Sequence, residues 1–307
     1  MPKIAFVFPG QGAQYVGMGK EMAESFPEAA AVFEEADGIA GYSIKDLCFY
    51  GPQEKLDQTE YSQPALLTTS IAILKVVQKT GIKPSILAGL SLGEYTALVA
   101  AGSLEFSQAL PLVQTRAALM QQAVPAGQGA MAAVMGVAGD TVRAICRQAG
   151  GIVDVANYNA PGQVVISGET EAVDRAKILI KEAGGRVVPL AISVPSHSLL
   201  MKEAAVQLGQ HLQKVSFKEP SPEVVSNVNA KGNPAQDMPD LLIKQLFSPV
   251  LWEQSIKYMI DKVDYFLEIG PSNTISGLIK RIDKNKLLGN VEDTKTLTKV
   301  LEKVGAL

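Results

Sequence analysis

Ala88-Gly89-Leu90-Ser91-Leu92-Gly93-Glu94-Tyr95 is the stretch on which the reading of this chain turns. Ser91 stands between Gly89 and Gly93 in a Gly-x-Ser-x-Gly pattern. The apolar run 86–90 before it reads as a buried strand, and residues 94–101 read as the opening of a helix. A serine on so sharp a strand-to-helix turn needs small neighbours, because the bend brings two backbones together. The same bend exposes the hydroxyl and points helix-terminal N–H groups at its surroundings. The pattern alone also fits an ordinary turn; its strand–turn–helix setting makes Ser91 a candidate nucleophile.

Composition bounds what such a nucleophile can belong to. The chain has 307 residues, 47% of them hydrophobic and 19% charged, enough for a large buried core in one large domain or two ordinary ones. A net charge of -3 offers no global reason to expect nucleic acid as a partner. Residues 1–8 are too short for a signal peptide, and no apolar run approaches membrane-spanning length, so no membrane association is expected. Cys48 and Cys146 are the only cysteines, which implies no disulfide framework and makes a reducing cytoplasm the expected location. Two cysteines and two histidines at unrelated positions make no metal site.

The first strand is Ile4–Phe8, continuously apolar as a strand buried on both faces must be. It runs into Pro9-Gly10-Gln11-Gly12-Ala13-Gln14, where glycines let backbone approach something closely. A dinucleotide fingerprint would need glycine at position 15, which is Tyr15, and a P-loop would need Ser or Thr after Gly19-Lys20, where Glu21 stands. A plain strand-end turn is the alternative. Gln63-Pro64 reads as the opening of a long apolar helix closed by Gly81. On a helix over 107–123, Leu112, Arg116, Leu119 and Met120 share one face. An arginine on an apolar stripe is either paired structurally, or snorkelling, or a fork for a substrate carboxylate or phosphate.

From residue 126 to 196 the order changes to strand (130–137), helix (140–149), strand (153–157), strand (163–167), helix (171–183), strand (187–192). That is βαββαβ, the ferredoxin-like order. The expected architecture is therefore α/β: residues 1–125 and 197–307 form a large, α/β-hydrolase-like domain with a parallel sheet, interrupted by a small ferredoxin-like subdomain over 126–196. After the return come an expected strand (224–229), a helix (239–247), a strand (263–269) and a helix ending in the basic cluster Lys280, Arg281, Lys284 and Lys286.

A serine nucleophile needs a base, and His197 and His211 are the only imidazoles. His211 sits late in an amphipathic helix and reads as a surface residue. His197 sits in the loop where the two domains meet, so Ser91 with His197 supports acyl transfer through an acyl-enzyme. The backbone N–H of Leu92 and one from the Gly10-Gln11-Gly12 turn would supply an oxyanion hole. No Asp or Glu stands out to orient the imidazole.

Phe8–Gln14, the Gly89–Tyr95 elbow, Arg116, Val194-Pro195-Ser196-His197 and Gln245–Trp252 occur in the order found in malonyl-CoA:acyl-carrier-protein transacylases, and the chain resembles that family from end to end. The resemblance implies that Ser91 carries the malonyl group and that His197 acts as base and then acid. It implies that the backbone carbonyl of Gln245 holds the histidine, which would explain the missing acid. It further implies an oxyanion hole from the amides of Gln11 and Leu92, and a bidentate grip on the malonyl carboxylate by Arg116. Coenzyme A thioester is then a substrate and no cofactor is expected. The acidic acyl carrier protein becomes the partner, with the cluster at Lys280 to Lys286 as a docking surface, and a monomer is expected. One departure stands out: family members usually carry histidine where this chain has Leu90. Three alternatives keep their place. A free-standing acyltransferase of a polyketide pathway shares these features; a serine thioesterase would pair His197 with an acid and have no use for Arg116; a carrier-binding module would hold a dead site.

Overall fold

The computed structural model describes residues 2–125, 127–190 and 194–306. The chain opens with β1 (Ile4–Phe8) and β2 (Pro84–Gly89). It then leaves to build β3 (Gly129–Met135), β4 (Val153–Ala160), β5 (Gln163–Glu169) and β6 (Arg186–Pro189). It returns through β7 (Val224–Val225), β8 (Tyr265–Ile269) and β9 (Leu287–Val291).

The strands before and after the excursion form one sheet in the order β7-β2-β1-β8-β9, with every pairing parallel. β1 lies at its centre with all five residues buried, which is why its sequence is apolar without alternation. The two-residue period still sorts its side chains. Phe6 and Phe8 join the core under the helix Thr59–Lys79, while Ala5 and Val7 join Trp252 and Ile256 on the opposite face. In the β1–β2 register Phe8 stands opposite Gly89, so the turns after these two strands emerge side by side.

The excursion forms a four-stranded sheet in the order β4-β5-β3-β6, with every pairing antiparallel, as βαββαβ predicts. The helices Gly139–Ala149 and Thr170–Glu182 cover one face, burying Val134, Val155, Ile166 and Ile180. Met131, Ala156 and Val165 point to the other face. Residues 191 and 192 of the expected last strand lie outside the described residues. The two sheets are stitched at Val250, whose N–H donates to Ala156 O at 2.8 Å and whose carbonyl accepts from Tyr158 N at 2.9 Å.

Three expectations change. The long helix begins at Thr59, and Pro64 sits inside its second turn, where it removes a single donor from a helix otherwise held by buried side chains. The expected strand 224–229 is only two residues long. Side chains capture the backbone beyond it: Val228 N donates to Ser226 Oγ at 3.3 Å and Lys231 N to Asn229 Oδ1 at 3.2 Å, which favours a turn. β9 was not anticipated, because Gly289 and Asn290 interrupt its apolar run. No helix of the described residues is long and apolar enough to cross a membrane.

Candidate active site

Ser91 occupies the turn between β2 and the helix Leu92–Ala100 with φ 53° and ψ -105°, a backbone conformation that non-glycine residues rarely adopt. The flanking glycines permit it. A Cβ on Gly89 would come within 1.9 Å of the Gly93 carbonyl carbon, and one on Gly93 within 2.3 Å of Phe8 O. Such a strained residue costs about 1–3 kcal/mol and persists only when its surroundings over-determine it. Asn227 does so here: its Oδ1 accepts from Ser91 N at 2.6 Å and its Nδ2 donates to Gly89 O at 2.7 Å.

His197 reaches the elbow from the loop ahead of the helix Lys202–Leu212, with Nε2 2.8 Å from Ser91 Oγ. Its Nδ1 lies 2.7 Å from the backbone carbonyl of Gln245. A carbonyl only accepts, so the ring proton is assigned to Nδ1, and Nε2 is left as acceptor for the Ser91 hydroxyl. Arg116, also buried, donates from Nη2 to Ser91 Oγ at 3.1 Å and to Gln245 Oε1 at 3.0 Å, and from Nη1 to Gln63 Oε1 at 2.5 Å. Among the described residues no carboxylate lies within ion-pair distance of it.

These groups open onto a cleft of about 230 Å³ between the two sheets. Gln11, Leu92, Ser91, Arg116 and His197 line one side; Met131, Val165, Asn157, Asn159 and Gln163 line the other. Leu90 also faces it, and its Cδ2 lies 3.2 Å from where a Cβ on Gly10 would stand, so it packs down on the glycine-rich turn. Residues 5–296 match a family described as Acyl transferase domain. The chain belongs to this family. It is an acyltransferase.

Full-length relatives agree. Malonyl CoA-acyl carrier protein transacylase of Escherichia coli strain K12 is 44% identical over 308 residues, covering 98% of this chain and 100% of the relative. The crystal structure of the protein of the same name from Clostridium perfringens superposes with a TM-score of 0.96 at 43% identity, covering 99% of this chain and 98% of that one. A malonyl-transacylase solved in complex with a type II PKS acyl-carrier protein gives a TM-score of 0.95 at 44% identity, covering 98% and 99%.

In this acyltransferase the site's electrostatics favour a neutral imidazole at His197. Burial, and then the Arg116 charge, push the His197 imidazole down from 6.5 to about 4. It is therefore unprotonated near neutrality and able to accept a proton. Burial also pulls the Arg116 guanidinium below its usual range, with Tyr95 and Glu94 working against that. His211 is exposed on its helix and takes no part. Among the described residues no group of three or more His, Cys, Asp or Glu side chains is placed to hold a metal ion.

Every site residue expected from the sequence lies at this cleft or against it. Asn227, Gln63 and Glu94 were missed. Asn227 was hidden in an apparent strand. Glu94 had a visible signal, the lone charged residue in the otherwise uncharged and wholly buried run 92–98.

Proposed function

We propose that this acyltransferase moves a malonyl group from malonyl-CoA to the phosphopantetheine thiol of an acyl carrier protein, in two half-reactions joined by a malonyl ester on Ser91. The observation that carries the reading is Arg116: a buried guanidinium, paired with no carboxylate among the described residues, stands 3.1 Å from the nucleophile. A planar fork of donors suits a carboxylate, and an acyl chain ending in one would complete its charge. The names of the full-length relatives support the same substrate.

In the first half-reaction His197 Nε2 takes the hydroxyl proton as Ser91 Oγ attacks the thioester carbonyl. The oxygen of that carbonyl becomes an oxyanion. The amides of Gln11 and Leu92 receive it; both residues line the cleft, and Leu92 begins its helix, where N–H groups have no intrahelical acceptor. Collapse breaks the C–S bond, and the coenzyme A sulfur leaves with the proton from His197. In the second half-reaction the carrier thiol gives its proton to His197 and attacks the ester. Ser91 leaves and recovers that proton. All of these steps use the chain's own groups, with the coenzyme A thioester as substrate and free coenzyme A as product.

An acidic carrier protein would meet the exposed Lys280, Arg281 and Lys284 at the far end of the helix Thr274–Asp283, whose Thr274 and Leu278 line the cleft. Lys286 is partly committed, donating to Val263 O at 2.8 Å. Radiolabelled malonyl-CoA with and without carrier protein tests the reading. Label should appear on the parent protein alone, move to the carrier when it is added, and be absent from Ser91→Ala. Rapid release of free malonate with no labelled carrier would instead make the protein a hydrolase.

A further inference from the structure

The acid that the sequence seemed to lack is present one amide away from the imidazole. Glu94 is 1% exposed, at the third position of the helix that follows the nucleophile. Its Oε2 accepts from Gln245 Nε2 at 2.6 Å and from Asn227 N at 3.1 Å. Those two partners hold the remainder of the site. Gln245 gives its backbone carbonyl to His197 Nδ1, its Oε1 to Arg116 and a second bond from Nε2, at 3.0 Å, to Ser91 O. Asn227 grips the elbow on both sides of Leu90, at Gly89 O and Ser91 N.

We propose that Glu94 is a positioning residue of this acyltransferase: one oxygen of its buried carboxyl, acting through Gln245 and Asn227, sets the Ser91 elbow, the imidazole acceptor and the Arg116 fork as a single unit. The Gln245 side chain explains why an acceptor is needed at this point. The two ends of a carboxamide have nearly the same shape but opposite hydrogen-bonding character. Arg116 has only donors to offer, so the oxygen must face it and the NH₂ must face away. An acceptor at position 94 satisfies that NH₂ in a place water does not reach. Without one, a buried N–H of that group loses its partner, a penalty that turning Gln245 away would relieve. A turned Gln245 would release Arg116 and Ser91 O together.

The inference rests on Ser91 and His197 being nucleophile and base, and its test uses no malonyl-CoA, so it stands or falls separately from the choice of acyl group. Glu94→Met keeps the volume and removes the acceptor; Glu94→Gln keeps an oxygen that can occupy the same place. The first readout is the rate at which a fluorophosphonate labels Ser91. The second is the downfield proton resonance of the His197 Nδ1–H, recorded in a His211→Ala background so that one imidazole remains. Glu94→Gln should stay within ~10-fold of the parent rate and keep the resonance, whereas Glu94→Met should lose ~10²-fold, the scale of about 3 kcal/mol, and shift or lose it. If Glu94→Met does not fold, Gln245→Met interrupts the same path while retaining the backbone carbonyl, and should slow labelling to the same degree. If both fold, the double variant should lose clearly less than the product of the two single losses, because Gln245 is one of the two partners through which Glu94 acts. Equal labelling and unshifted resonances in Glu94→Met and Glu94→Gln would overturn the proposal, as would purely additive losses in the double variant.

Discussion

The two walls of the cleft are built on opposite principles. The wall at the ends of β1 and β2 is over-determined. Its backbone is strained at Ser91, Gly10, Gly89 and Gly93 leave no room for an added carbon, and Ser91, His197, Arg116, Gln245, Asn227 and Glu94 share one hydrogen-bond network. The wall from the small sheet is looser. Met131 and Val165 are apolar there, and Asn159 Oδ1 and Gln163 Oε1 are buried with no described partner. The first wall turns most of its hydrogen bonds on itself, which holds reacting atoms in place, and leaves Arg116 Nε at the cleft and the buried Glu94 Oε1 without a partner among the described residues. The second keeps polar capacity in reserve for whatever enters. Chemistry should therefore be brittle to substitution on one side of the cleft, and substrate preference adjustable on the other.

The strongest way to break that contrast is at the elbow. Ser91→Ala should lower transfer by at least ~10⁴-fold with the fold intact, since removing the nucleophile of such a unit leaves only binding and the oxyanion donors. Thermal unfolding and steady-state transfer rates together check this. Gly89→Ala should go further and fail to give folded protein, because its Cβ would meet backbone at 1.9 Å rather than a movable side chain. Soluble, active Gly89→Ala would show that the elbow is far more compliant than its geometry implies.

Arg116→Ala comes next in size. Two charge-assisted bonds to a carboxylate would be worth ~10²–10³-fold together, so transfer of malonyl should fall by that factor while transfer of acetyl changes little. Paired rates with the two thioesters measure it. An equal loss for both acyl groups would make Arg116 a support for Ser91 and Gln245 only.

The pH dependence sharpens the same wall. With the imidazole held at about 4, the acid limb of kcat/KM should have its midpoint near 4 and not near 6.5, and Arg116→Ala should move it upward only part of the way, since burial is the larger cause. Stability follows with a definite sign. Below pH 6.5 the unfolded chain takes up a proton that the folded one refuses. The contribution of the neutral imidazole is therefore complete above pH 6.5 and is lost as pH falls toward 4, a change of about 3 kcal/mol over that window. Denaturant titrations of the parent and His197→Gln, which cannot titrate, should converge as pH falls through it.

The brittle wall was also the more legible one. Ser91 could be found because a strained turn demands glycines at fixed spacing, and His197 because a nucleophile needs a base and only two imidazoles exist. β1 and the βαββαβ order were visible because burial on both faces, and alternating helix and strand, each write a period into the chain. Asn227, Gln63 and Glu94 were not, because they act through a few hydrogen bonds across 53 to 151 residues of sequence, and a lone polar residue carries no period. β9 was lost for the related reason that its parallel pairing to β8 is long-range and its own composition is poor in β-formers.

The smallest expected effect lies on the small-sheet wall. Met131 is 7% exposed and packs with Ala156 and Val165, three residues in a cluster separate from the main core of that sheet. Met131→Ala removes apolar volume facing the acyl group without touching any group that bonds to Ser91, His197 or Arg116. Transfer of malonyl should then fall by no more than ~10-fold, while an acyl group one methyl larger should gain relative to it, because a methylene in an apolar pocket is worth ~10-fold or somewhat more in discrimination. Paired kcat/KM values for malonyl and methylmalonyl thioesters read the ratio directly. A loss as large as that of Arg116→Ala, equal for both acyl groups, would mean that the small sheet holds the reacting atoms too, and the division between a wall that reacts and a wall that selects would be lost.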